Sequence, residues 1–85
     1  MFTQGFSVYY SPLNILETHA EGIITAIRNQ DDRVISKLLS MGIYKGMPIT
    51  LEQKFPSFII KVGQTRLALD DKIASSIKVK VTQNH

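Results

Sequence analysis

The chain predicts a mainly β domain with one inserted α-helix, built as a small SH3-like barrel of about five short strands. Two observations carry this. Residues 47–52 (MPITLE), 58–62 (FIIKV) and 77–81 (IKVKV) place apolar residues at every second position, the period of a half-buried strand. Residues 33–41 instead space Val34, Leu38 and Met41 at helical intervals and run into Gly42. Closing short antiparallel strands into a barrel removes the sheet edges that so few covering helices would leave open.

At 85 residues the chain makes one domain with a modest core. Its 44% hydrophobic content is that of a globular fold. Without cysteine it has no disulfide, no thiolate nucleophile and no cysteine-based metal site, so a reducing cytoplasm is the expected compartment. No apolar run approaches the roughly 20 residues needed to span a bilayer, and MFTQGFSVYY lacks the features of a secretory leader. The net charge of +3 is mild, and the basic residues are spread along the chain.

Residues 1–12 read as an N-terminal arm, either loose or forming an added strand through Phe6, Val8 and Tyr10; residues 13–82 read as the barrel domain. Ser11 and Pro12 suit a helix start, with serine as the cap and proline in the first helical position. Leu13 and Leu16 then face one way. Gly22 leads into a β-branched strand, Ile23 to Arg28. Asn29 or Asp31 caps the following helix, and Asp31 and Asp32 sit at the positive end of its dipole. Ile35 and Leu39 lie beside the Val34–Leu38–Met41 stripe. Gly42 is expected to end the helix in the left-handed conformation. Tyr44, Lys45 and Gly46 make a turn, then Met47, Ile49 and Leu51 face inward. Residues 55–57 turn the chain into the Phe58, Ile60, Val62 face. Gly63 and Gln64 form a tight hairpin into residues 67–69, and Asp70 caps a short turn contributing Ile73. Ile77, Val79 and Val81 close the domain.

These residues carry a resemblance. L-x-x-M-G-I-x-x-G (residues 38–46) before an alternating strand, then GQTRLAL (63–69) and A-x-x-I-x-V (74–79), resembles the ferrous iron transport protein A family, FeoA, over residues 13 to 81. The resemblance implies an SH3-like domain that works on the cytoplasmic side with FeoB, a membrane transporter of ferrous iron with a guanine-nucleotide-binding domain. It implies an accessory or regulator, and self-association is compatible with such a module. The same domain occurs at the C-terminus of metal-dependent repressors, whose DNA-binding parts have no room here.

The residues read for partner contact are Leu39, Met41, Tyr44, Lys45 and Met47, around the helix end and the turn. Tyr44 and Lys45 occupy a turn tip with little core to serve. Gly22, Gly42, Gly46 and Gly63 read as structural. No catalytic residues, cofactor or metal ligands are expected. His19 and His85 are the only histidines and share no ligand spacing, and the pairs Asp31–Asp32 and Asp70–Asp71 read as helix caps. No phosphate loop of the GxxxxGK[ST] type is present, and no serine has an evident histidine partner. Two other binding classes compete. One is a nucleic-acid-binding barrel, disfavoured because no aromatic interleaves with Lys78 and Lys80. The other is recognition of a proline-rich segment, for which only Tyr9, Tyr10 and Tyr44 offer rings.

Overall fold

The computed structural model describes residues 6–84. His85 and the first five residues of the arm lie outside them. Six strands, β1 (Phe6–Pro12), β2 (Glu21–Ile27), β3 (Pro48–Gln53), β4 (Phe58–Val62), β5 (Thr65–Leu69) and β6 (Ile77–Asn84), form one antiparallel sheet in the order β1-β6-β2-β3-β4-β5. Helix α1 (Asp32–Ser40) joins β2 to β3, and α2 (Asp71–Ser75) joins β5 to β6. A 3-10 turn, Leu13–Ile15, follows β1. The fold is mainly β with an inserted helix, as the alternation predicts. Among the described residues no ladder joins the outer strands β1 and β5.

The strand count exceeds the expected five because the arm is a strand. β1 pairs with β6 from Phe6↔Asn84 to Pro12↔Lys78. This corrects the reading of Ser11 and Pro12 as a helix start. Ser11 lies opposite Val79 in the ladder, and Pro12 has an extended ψ of 145°. Pro12 is tolerated at the end of an edge strand because a proline there removes no needed donor. The turn that follows still buries Leu13 and Leu16 completely.

The core forms where the alternating faces meet. Ile49 and Leu51 of β3, Ile60 and Val62 of β4, and Val79 and Val81 of β6 are all buried. Each such side chain contributes about 1.5–3 kcal/mol relative to exposure. Gly22 lets β2 approach β6 closely. A Cβ there would lie 2.5 Å from the Lys80 carbonyl oxygen and against Val79 Cγ1. The β4–β5 hairpin closes through Gly63 and Gln64 between Val62 and Thr65. Asp70 caps α2 by accepting the Ile73 N–H at 2.8 Å. β2 carries a bulge between Ile24 and Ala26, which shifts its register against β6.

Candidate functional site

The site grows from the two ends of α1. At its start, Asp31 Oδ1 accepts the Arg33 N–H at 2.9 Å, and Asn29 Oδ1 accepts the Asp31 N–H at 2.8 Å. The Arg33 guanidinium also binds the Asp31 carboxylate, and these bonds hold its pKa below the ordinary value. At its end, Gly42 N–H donates to the Leu39 carbonyl at 3.0 Å and Ile43 N–H donates to the Leu38 carbonyl at 2.9 Å. With Gly42 at φ +86°, this is a Schellman ending, and its apolar partners Ile43 and Leu38 are both buried.

A β-turn follows at once. Met47 N–H donates to the Tyr44 carbonyl at 3.1 Å, with Gly46 at φ +97°. Two backbone bonds fasten this turn to β2: Gly46 N–H to the Ile24 carbonyl at 2.7 Å and Ile24 N–H to the Met47 carbonyl at 2.9 Å. The turn tip therefore lies fixed beside β2 rather than free in solvent.

Between α1, the turn and β2 runs a groove of about 580 Å³. Its walls include Ile35 and Leu39 from α1, Ile27 and Arg28 from the end of β2, and Tyr44 and Lys45 from the turn. Leu39 is 57% exposed and Tyr44 43% exposed. Within α1, Leu38 is fully buried and Val34 and Ile35 are half-buried, so Leu39 is the apolar side chain left open. Leu39, Tyr44 and Lys45 thus come together. Met41 does not join them. It faces a second groove of about 350 Å³ with Val34, Leu38, Leu67 and Ile73, between α1, β5 and α2. Met47 is half-buried and packs against the core. Ile27, Ile35 and Arg28 escaped the sequence reading as site residues. The short link from β2 to α1 was the available signal, since successive elements so joined pack side by side.

Elsewhere the polar groups serve structure. Arg66 of β5 reaches over β4 to Glu52 of β3, with Nε 2.6 Å from Oε1. That bond lowers the Glu52 pKa and raises that of Arg66. His19 has a left-handed φ of 76°, and its N–H donates to the Leu51 carbonyl at 2.6 Å. No group of three or more histidine, aspartate or glutamate side chains is placed to hold a metal among the described residues. One expectation is corrected: β1 puts Tyr10, 67% exposed, directly opposite Lys80, so an aromatic does accompany the basic face. It is a single ring, where a stacking track for bases needs several.

The described residues define the class: a small, mainly β domain with a groove between its inserted helix and β2. The FeoA domain model matches residues 11–81, and the chain belongs to that family. It is 34% identical over 80 residues to a candidate Fe(2+) transport protein A of Leptolyngbya boryana, covering 93% of this chain and 98% of that one. A crystal structure of the iron uptake regulatory protein FeoA superposes with a TM-score of 0.76 at 28% identity, covering 86% of this chain and 99% of that one. The zinc complex of Stenotrophomonas maltophilia FeoA, described as a procaryotic SH3 domain protein, superposes with a TM-score of 0.73 at 23% identity, covering 84% and 93% of the respective chains. The chain is thus an SH3-like, non-enzymatic accessory protein associated with ferrous iron transport. No helix among the described residues is long and apolar enough to cross a membrane.

Proposed function

We propose that this protein docks on the cytoplasmic part of a FeoB-type ferrous iron transporter and regulates it by contact alone. The observation that carries this reading is the α1–β2 groove, where Leu39, Tyr44 and Lys45 converge on a backbone fixed at both ends. Apolar and aromatic anchors beside a cation, on a rigid frame, are what a binding hot spot requires. Membership of the FeoA family, and with it a link to ferrous iron transport, supports this choice of partner. Regulation follows if the domain binds one conformation of the transporter more tightly than another, since only differential affinity shifts an equilibrium.

The test is co-purification with the transporter. The double variant Tyr44→Ala/Lys45→Ala is expected to melt like the wild type yet lose most of its retention. Unchanged retention overturns the docking surface.

A further inference from the structure

We propose that the α1–β2 groove takes an extended acidic segment of a partner protein, which adds as a short strand to the open edge of β2 at Ile27. This rests on the docking reading and specifies the form and chemistry of what docks. The ladder from β3 ends at Ile23↔Pro48, and the two bonds from the turn to Ile24 carry the contact one residue further. Beyond Ile24, β2 runs on to Ile27, held extended by β6 through Ala26↔Lys78 and Ile27↔Ile77. Among the described residues no strand pairs with its other side there. That side is a wall of the groove, lined by Thr25, Ala26, Ile27 and Arg28.

The bulge decides which backbone groups face out. Ile24 turns both its N–H and its carbonyl toward the turn, bonding Met47 and Gly46. Arg28 turns its N–H the other way, donating to the Ser76 carbonyl at 2.8 Å. In a regular strand, residues an even number apart face the same side, so the extra residue between Ile24 and Ala26 reverses the alternation. Counting back from Arg28, Ile27 presents its N–H and its carbonyl to the groove. Among the described residues no backbone bond from the turn or α1 reaches either group. An edge of this kind templates the addition of a strand.

The open pair of groups sets the pattern of the segment. Every ladder of the sheet is antiparallel, and an antiparallel residue opposite Ile27 exchanges two bonds with it and points its side chain to the same face. Ile27 packs against the core, so that side chain turns toward Ile35 and Leu39 of α1 and is apolar. Its neighbours along the segment point the other way. Arg28 and Lys45 are the only charged residues lining the groove, and the salt bridges among the described residues, Arg33–Asp31 and Arg66–Glu52, leave both unpaired. Carboxylates on the neighbouring positions complement these cations, and a basic segment is repelled. A β-branched apolar residue between two acidic ones is the smallest segment that meets these conditions. A helix would leave Ile27 unpaired, because its own backbone groups are already bonded to one another.

The probes are two synthetic peptides of about eight residues, alternating valine with glutamate or valine with lysine. Titrated into the full chain, the glutamate peptide is expected to saturate and to slow hydrogen exchange of the Ile27 amide by about tenfold. The lysine peptide is expected to bind about tenfold more weakly, with the gap narrowing in high salt. The variant Arg28→Glu/Lys45→Glu should reverse that preference. N-methylation of the peptide's valines should abolish binding, because it removes the donor facing the Ile27 carbonyl. N-methylation of its glutamates, whose N–H groups face away, should not. No binding, equal binding of the two charge types, unchanged exchange at Ile27, or equal effects of the two methylations overturns the proposal. Retention on the transporter, read in parallel, separates the two levels. Wild type that is retained while the peptide results fail overturns the added strand alone, whereas wild type that is not retained overturns the docking reading itself.

Discussion

Gly46 and Ile24 are joined by a 2.7 Å backbone hydrogen bond that ties the turn after α1 to the middle of β2. Because Ile24 also donates back to Met47, the turn is held by two bonds rather than one. Ile24 itself is fully buried, so this anchor is part of the core. The exposed side chains of Tyr44 and Lys45 are thereby carried on a backbone that has little freedom left to lose on binding.

The helix ending gives a first prediction. Gly42 sits at φ +86° with nothing within 4 Å of where a Cβ would be, so only the backbone conformation resists a side chain. Gly42→Ala should destabilise by about 1 kcal/mol, a fall in melting temperature of roughly 4–8 °C for a domain of this size. Gly42→Asn should lose less, because asparagine tolerates the left-handed region. Equal losses in thermal melts would argue against a conformational cause.

Two adjacent leucines should behave oppositely. Leu38 is 2% exposed and Leu39 57% exposed. Leu38→Ala should cost about 2–5 kcal/mol of stability. Leu39→Ala should stay within about 0.5 kcal/mol, as surface substitutions do. Urea unfolding of both variants checks this directly.

Acid should act through Glu52. The hydrogen bond from Arg66 holds the folded carboxyl below its ordinary value of 4.5. A group depressed on folding stabilises the protein above its unfolded pKa and loses that contribution as pH falls through the folded pKa. Melts taken from roughly pH 6 down to pH 3 should therefore fall more steeply for wild type than for Arg66→Gln. An NMR titration of Glu52 should show its midpoint moving upward in that variant.

β1 should be needed for an orderly sheet. Deleting residues 1–10 strips the partner from most of β6 and leaves an unpaired edge beside the buried Val79 and Val81. The expected loss is on the order of 2–4 kcal/mol from the ladder bonds alone. Self-association should rise with it, because a free edge templates pairing. Size-exclusion chromatography and a melt of the truncated chain test both.

The residues that carry period two or a helical stripe made most of the fold legible. β3, β4 and β6 each bury alternate residues, and α1 turns Val34 and Leu38, with Met41 just past its end, inward or toward β5. β1 was ambiguous for a physical reason: Val8, Tyr9 and Tyr10 are all exposed, so no buried face imposed alternation on it. Ser11 and Pro12 suit a helix start locally, and the ladder with β6 overrides that preference. At the candidate site, Tyr44 and Lys45 could be named because a turn tip has little core to serve, and Leu39 because it flanks that turn. Ile27 and Arg28 could not. The bulge between Ile24 and Ala26 breaks the period-two rule just before them, and sequence spacing then no longer says which side they take.

The exposed side chains of the α1–β2 groove, Leu39, Tyr44 and Lys45, are proposed to dock on a larger partner while adding little to the fold's stability, whereas the buried Ile43 that also lines it belongs to the core. The most direct measurement is the affinity of the purified full chain for a detergent-solubilised FeoB-type transporter, compared between wild type and Leu39→Ser. A loss of tenfold or more in affinity with an unchanged melting curve is expected. Affinity equal to wild type in a fully folded Leu39→Ser protein would contradict it.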